Sequence, residues 1–303
     1  MAGRFFILCT SLFSIVTGLH AQLLDPRFGG FNGPVNAIVE DTLNDVVYVG
    51  GSFDRVGIEA PFGAVVTGEQ AIVQAPAPVP NGRVNTAIPD GEGGYYIGGT
   101  FTRVGTVTRN RLARINADGS LHPWNPDADD EVSSLVELNG AIYAGGRFQQ
   151  VGGAPHARLV ELDPESGDAS NWTPVVNDGI RVLVTDGTDL YLAGDFTTVE
   201  GDTRNKLAGY SVVDHTLLPW NPNVVGNVVL CFTWTGSSFV VGGSFSTAGG
   251  QPRNNIAAFA PDGSVTAWDP SCDGTVFAVT SDANTIYAGG SFSQIGGEQR
   301  IGL

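Results

Sequence analysis

Lysine is almost missing from this chain. Lys206 stands alone, arginine supplies every other cation, and fifteen basic residues face thirty-one acidic ones for a net charge of −16. A surface this acidic repels phosphate backbones and anionic lipid, so nucleic-acid and membrane-surface binding are excluded as expectations. Cysteine is scarce too, at three residues. Helical spacing of apolar residues is absent: the apolar period is two, not 3.6, and glycine is abundant at 42 residues. No Gly-x-Ser-x-Gly elbow, zinc motif or phosphate loop occurs, and His122, His156 and His215 have no metal-ligand spacing. The sequence therefore calls for no cofactor, metal or catalytic residue.

One apolar run is present, Phe5 to Val16, interrupted only by Thr10, Ser11 and Ser14. It falls short of the roughly 20 residues that span a bilayer. Arg4 precedes it, and Leu19-His20-Ala21 offers a small residue before Gln22. Together these read as a secretory signal over residues 1–21, which predicts a secreted or cell-surface protein with no transmembrane segment. Cleavage would remove Arg4 and leave the mature chain more acidic. It would also remove Cys9. Cys231 lies in the apolar run Val228-Val-Leu-Cys-Phe232, aligned with Leu135, Leu183 and Val279, and Cys272 lies in the turn Asp269-Pro-Ser-Cys-Asp273. An oxidising compartment permits a Cys231–Cys272 bridge; the spacing leaves its formation open.

What fills residues 22–303 is a repeat. Tyr48-Val-Gly-Gly-Ser-Phe53 returns as Tyr96–Phe101, Tyr143–Phe148, Tyr191–Phe196, Val240–Phe245 and Tyr287–Phe292. The phenylalanines step by 48, 47, 48, 49 and 47 residues, and Trp124, Trp172, Trp220 and Trp268 by 48 each. A fixed period of this size means one supersecondary unit copied head to tail. Each copy reads as four short strands: an apolar strand starting at Val35, Val84, Val132, Ile180, Val228 or Val276; the Tyr-x-Gly-Gly-x-Phe strand; a third strand such as Leu112-Ala-Arg-Ile115; and a fourth ending in Trp-x-Pro. Hairpin signals join them, among them Asp90-Gly91, Asn139-Gly140 and Asp186-Gly187. Such units are the blades of an all-β propeller. A β-solenoid with two coils per repeat would need longer flat strands and fewer hairpin turns.

The recurrent residues have structural readings. Gly51, Gly99, Gly146, Gly194, Gly243 and Gly290 mark a bulge or a close backbone approach. Phe53, Phe101, Phe148, Phe196, Phe245 and Phe292 are anchors between neighbouring units, each worth about 1.5–3 kcal/mol of burial. The tryptophans read as core rather than as sugar platforms, since a ligand site rarely needs equivalent copies. Leu24-Asp-Pro26 matches the closing Trp-x-Pro, so residues 22–27 are expected to run beside the second or third strand of the sixth copy, which reaches Leu303 as its third strand begins. That pairing would close a six-bladed, monomeric ring.

Gly-Gly-x-Phe followed eight residues later by Arg109, Arg204, Arg253 or Arg300 (His156 in the third copy), with Asn110, Asn205 or Asn254 next, then Leu/Ile-Ala and an Asp-Gly turn, resembles the secreted delta-60 repeat β-propeller family. The resemblance covers about residues 23–303. It implies a propeller in an exported or surface protein, often with further domains, and carries no assigned chemistry. The first copy departs from the pattern, with Pro61 in the arginine place and Pro76 in the tryptophan place. The repeated arginine reads as a tie to a carbonyl or carboxylate of the adjoining turn.

Function is sought where the pattern breaks. Arg147 and Asp195 fill the slot before the phenylalanine where other copies carry Ser or Thr, so they are expected to pair or to hold a polar ligand. Asn36, Asn85, Ser133 and Arg181 share the second place of the first strands and are expected at the channel mouth. Asp127-Ala-Asp-Asp-Glu131 offers carboxylates but lacks the glycine and terminal glutamate of an EF-type calcium loop. Asn171-Trp-Thr173 is a formal glycosylation sequon. The resulting expectation is a non-catalytic binding or adhesion scaffold with an unknown protein or glycan partner. The alternative is an extracellular propeller enzyme acting on glycans or using a quinone-type cofactor in the channel.

Overall fold

The computed structural model describes residues 33–41, 46–53, 63–67, 78–282 and 285–300. Residues 1–32, on which the expected signal and the expected closing strand at 22–27 fall, lie outside the described residues, as do Pro61, Pro76 and Leu303. The described residues hold antiparallel strands and no helix, so none is long and apolar enough to cross a membrane. They fall into two compact units, one within Met1–Arg109 and Ala113–Pro123, the other within Asn110–Leu112 and Trp124–Leu303.

Six antiparallel sheets follow one another along the chain, one per repeat. The first orders Val35–Asp41, Val46–Gly51 and Gly63–Thr67; the second Val84–Pro89, Tyr95–Gly99 and Leu112–Ile115. The third has Val132–Leu138, Ala141–Gly146 and Leu159–Leu162; the fourth Ile180–Thr185, Asp189–Gly194, Leu207–Ser211 and Thr216–Leu217. The fifth pairs Val224–Trp234, Phe239–Ala248 and Ile256–Phe259, and the sixth Val276–Asp282 with Thr285–Gly290. Within each unit the first strands of successive blades lie side by side. The fourth strand is shorter than its sequence suggests. It is a single bridge in three blades, Ile115 to Leu121, Leu162 to Ala169 and Phe259 to Val265.

Alternation places core between blades. In the central strand of the fourth blade, Leu190 and Leu192 join one buried cluster with Tyr143 and Leu159 of the third blade, while Tyr191 and Ala193 join another with Val229, Phe239 and Phe259 of the fifth. A two-residue period thus serves two neighbours, one on each face. The recurrent phenylalanines are all buried, from 0% exposed at Phe101, Phe148 and Phe196 to 5% at Phe245.

The paired glycines have separate causes. A Cβ on the second glycine of each pair would lie 2.0–2.3 Å from the carbonyl oxygen of the residue two before the bulge in the blade's own first strand: Pro34, Arg83, Glu131, Gly179, Val228 or Thr275. Where the next residue's amide is described, it donates to that same carbonyl, as Arg147 does to Glu131 at 2.8 Å and Asp195 to Gly179 at 2.9 Å. The carbonyl is drawn in by the hydrogen bond, and only glycine leaves room for it. A Cβ on the first glycine would strike the next blade instead: Val84 Cγ1 at 2.6 Å from Gly50, Ile180 Cγ2 at 2.7 Å from Gly145, Val276 Cγ1 at 2.6 Å from Gly242. Opposite each pair the first strand bulges by one residue.

That bulge corrects the fifth copy. Val229 pairs with Gly243 as Val132 pairs with Gly146, so the fifth strand's second place is Leu230, not Val229. Cys231 pairs with Gly242 and therefore matches Ser134 and Val182, not Leu135 and Leu183. The run of two valines conceals which one starts the strand. Cys231 and Cys272 are both free and buried in one cluster, and burial pushes the Cys231 thiol up to about 12.

After Phe101, Phe148, Phe196 and Phe292 comes a small hairpin that precedes the third strand and has no counterpart among the four expected strands: Arg103–Val104 with Val107–Thr108, Gln150–Val151 with Ala154–Pro155, Thr198–Val199 with Asp202–Thr203, and Gln294–Ile295 with Glu298–Gln299. Its start is held by a side-chain oxygen accepting two backbone amides, from Asn81, Asp129, Asn177 and Asp273. The fifth copy has Val225 there. Its backbone pairs directly with Thr247, which lengthens both strands of that hairpin.

Replacing Gly146 by Ala should lower the urea midpoint further than Gly145→Ala. At 145 the obstacle is an Ile180 methyl group, and the fourth blade already carries Ala193 there; about 1–3 kcal/mol is expected. At 146 the obstacle is backbone, and more is expected. Phe148→Ala should cost about 3–5 kcal/mol and Phe245→Leu much less. Equal midpoints within either pair would contradict the assigned roles.

Candidate functional site

The Arg147, Asp195 and Arg181 side chains meet. Asp195 stands just before buried Phe196, held by its own amide on the Gly179 carbonyl. Its Oδ2 accepts from Arg147 Nη2 and its Oδ1 from Arg181 Nε, each at 2.9 Å. Arg147 belongs to the third blade and reaches across because Gly179 has no side chain. A Cβ there would lie 3.2 Å from the arginine Cγ. Arg181 is the bulged residue of the fourth blade's first strand, which turns it toward Asp195. The Arg158 guanidinium donates to the Arg147 carbonyl behind the cluster.

Two guanidinium groups on one carboxylate leave one positive charge in a strongly acidic protein. Arg147 and Arg181 are 46% and 39% exposed, Asp195 20%. Each arginine carries five N–H donors and Asp195 engages one of each. The arrangement can take an anionic oxygen between the two forks. It holds no nucleophile–base pair.

The other second-place residues do not join this cluster. Ser133 is half-buried at the third blade's bulge. Asn36 and Asn85 sit on bulges in the other compact unit, where Asn36 Nδ2 donates to the Val84 carbonyl at 3.3 Å and to Ser52 Oγ at 3.4 Å. Asn36 thus ties its blade to the next.

The repeated arginines latch the outer edge. Arg109, Arg204 and Arg253 each donate from Nη2 to a carbonyl two residues before a tryptophan, on His122, Leu218 and Thr266, at 3.1, 3.2 and 2.8 Å. His156 takes this place in the third blade; burial lowers its pKa against an opposing hydrogen bond with the Trp172 backbone. In the acidic stretch Asp127–Glu131, Asp127 accepts from Asn110 and Asp129 from two amides. No group of metal ligands occurs among the described residues.

Sequence reasoning missed the tyrosine–carboxylate pairs, three of them with buried tyrosines: Tyr143 with Glu161, Tyr191 with Asp186 and Tyr210 with Glu200, at 3.1, 3.1 and 2.7 Å. Burial first, then the adjacent carboxylate, pushes all three phenols well above their usual range. A period-two strand shows which face a tyrosine takes but not its partner.

Because these folded-state pKa values are raised, the tyrosines contribute stability in full below the unfolded value of about 10, and it is lost as pH rises toward the folded values. Thermal unfolding midpoints should fall above about pH 10, with Tyr143, Tyr191 and Tyr210 ionising only on unfolding. Early tyrosinate absorbance from the folded protein at these positions would contradict the pairing. At the arginine cluster, a double-mutant cycle on Arg147 and Asp195 should give a coupling of at most about 1 kcal/mol that shrinks with salt.

Two stretches, residues 89–123 and 239–265, match the model of a β-propeller domain of unknown function, DUF5122. Among solved structures, the chain is similar to the WD40 β-propeller domain of Doa1, at 12% identity and a TM-score of 0.58 over 86% of this chain and 76% of that one. It is likewise similar to the computationally designed Ika8 protein, at 10% identity and a TM-score of 0.59 over 89% and 74%. At such identities the likeness shows the fold alone. No curated protein matches the chain. Repeat, sheets and comparisons together identify the chain as an all-β propeller, two stretches of which match the DUF5122 model, consistent with the delta-60 repeat resemblance.

Proposed function

We propose that this protein is an exported, non-catalytic β-propeller that serves as a binding or adhesion scaffold at the cell surface or outside the cell. Its partner is a protein or glycan that presents an anionic group. The observation that carries this reading is the Arg147–Asp195–Arg181 cluster: repeat-breaking residues from two adjacent blades converge on one exposed point. A rigid repeat that departs from its own pattern to gather charge supports recognition at that place. Export is supported by the charged start, the short apolar run and the Ala21–Gln22 junction.

N-terminal sequencing of exported material should begin near Gln22; an intact Met1 would sink the export reading. For recognition, the purified protein should bind immobilised polygalacturonate or poly-glutamate saturably, with affinity falling as salt rises. The double variant Arg147→Ala, Arg181→Ala should bind about tenfold or more weakly. No saturable binding to either polyanion, or unchanged binding by the double variant, contradicts the role given to the cluster.

A further inference from the structure

In the second, third and fifth blades the turn before the fourth strand carries a glycine two residues ahead of the pairing position, with φ near +80°: Gly119, Gly167 and Gly263 at +82°, +81° and +86°. At Gly167 and Gly263 this glycine is the seat for the preceding blade's tryptophan. A Cβ on Gly167 would lie 3.2 Å from Trp124 Cδ1, and one on Gly263 3.1 Å from Trp220 Cδ1. Both tryptophans are accordingly buried, at 1% and 3% exposed.

In the fourth blade the same place, two residues before Leu217, holds His215, still in the left-handed region at φ +54°. That conformation disfavours a side chain, so the histidine occupies a position that the repeat elsewhere reserves for glycine. Its imidazole lies flat on Trp172, with centroids 4.8 Å apart and planes 6° apart. Trp172 is only half-buried in consequence. The imidazole is fixed from behind: Nε2 sits 3.2 Å from Glu161 Oε2, whose other oxygen accepts from Tyr143. Tyr210 meets the Trp172 ring edge-on at 5.0 Å and donates to Glu200, which also accepts the Val175 amide.

Here the surface opens into a cleft of about 520 Å³ lined by Ser170, Asn171, Trp172, Thr173, Glu200 and His215. Its volume is that of a small-ligand site. Its walls combine a flat aromatic stack with two hydroxyls, an amide and a carboxylate. A pyranose ring presents the complementary surface: an apolar C–H face that stacks on an aromatic plane, and rim hydroxyls that both donate and accept. We infer that this cleft is a saccharide-binding site, with the Trp172–His215 stack as its platform and Asn171, Thr173 and Glu200 as its hydroxyl partners. This extends the scaffold reading and rests on it only in assigning a binding role; the site uses different residues and an uncharged ligand.

The test uses cellohexaose, laminarihexaose and chitohexaose, titrated into the mature protein while tryptophan fluorescence and calorimetric heat are followed. At least one should bind saturably. His215→Gly restores the glycine of the other turns and should fold with an unchanged or raised thermal midpoint while binding about tenfold more weakly. Trp172→Ala should abolish the signal. No saturable binding of any of the three, or His215→Gly binding as well as wild type, overturns the assignment. Loss of polyanion binding with retained oligosaccharide binding would count against the arginine cluster alone.

Discussion

The contact on which the blades depend is a carbonyl oxygen pressed onto a glycine. Two residues before the bulge of each first strand the backbone turns its carbonyl across the central strand, within 2.3 Å of where a second-glycine Cβ would stand. The hydrogen bond from the following residue pulls it there. The bulge, the strand register and the direction of the residue before phenylalanine all follow. So does the stacking, because the first glycine leaves the slot into which the next blade's valine or isoleucine inserts. Two adjacent glycines thus couple the inside of one blade to the face of its neighbour.

This constraint also shapes the surface. The residue after the second glycine is held by its amide, so its side chain is free to vary, and the bulged residue opposite is turned the same way. Small polar residues at these places serve as local ties, as Asn36 and Ser52 show. Arg147, Asp195 and Arg181 put charge at them and obtain a cluster that the backbone has already positioned. The outer turn repeats the logic: a glycine required for packing, exchanged at His215 for a side chain that opens a cleft.

Much of this was legible in the residues. Fixed spacing and period-two alternation reveal blades, and a glycine recurring inside a strand announces a close approach. The departures at Arg147, Asp195 and Arg181 stood out because the neighbouring copies supply the background. Other features were hidden for identifiable reasons. Val228-Val229 offers two equivalent starts, so only the pairing with Gly243 fixes the register. The small hairpin after phenylalanine spans two residues a side, below what alternation can register. The oxygens that hold it come from Asn81, Asp129, Asn177 and Asp273, residues common in any loop. His215 escaped because the Asp-Gly signal is missing from its turn, and nothing local shows that the missing glycine was a tryptophan's seat.

The claim that one carbonyl organises each blade can be tested at the amides that hold it. Native-state hydrogen exchange should find the Thr100, Arg147 and Asp195 amides opening with the same free energy as the central-strand amides beside them, since both are lost only when the blade opens. Exchange at those three amides as fast as in the surrounding turns would mean that the close approach is incidental, and the account would fail.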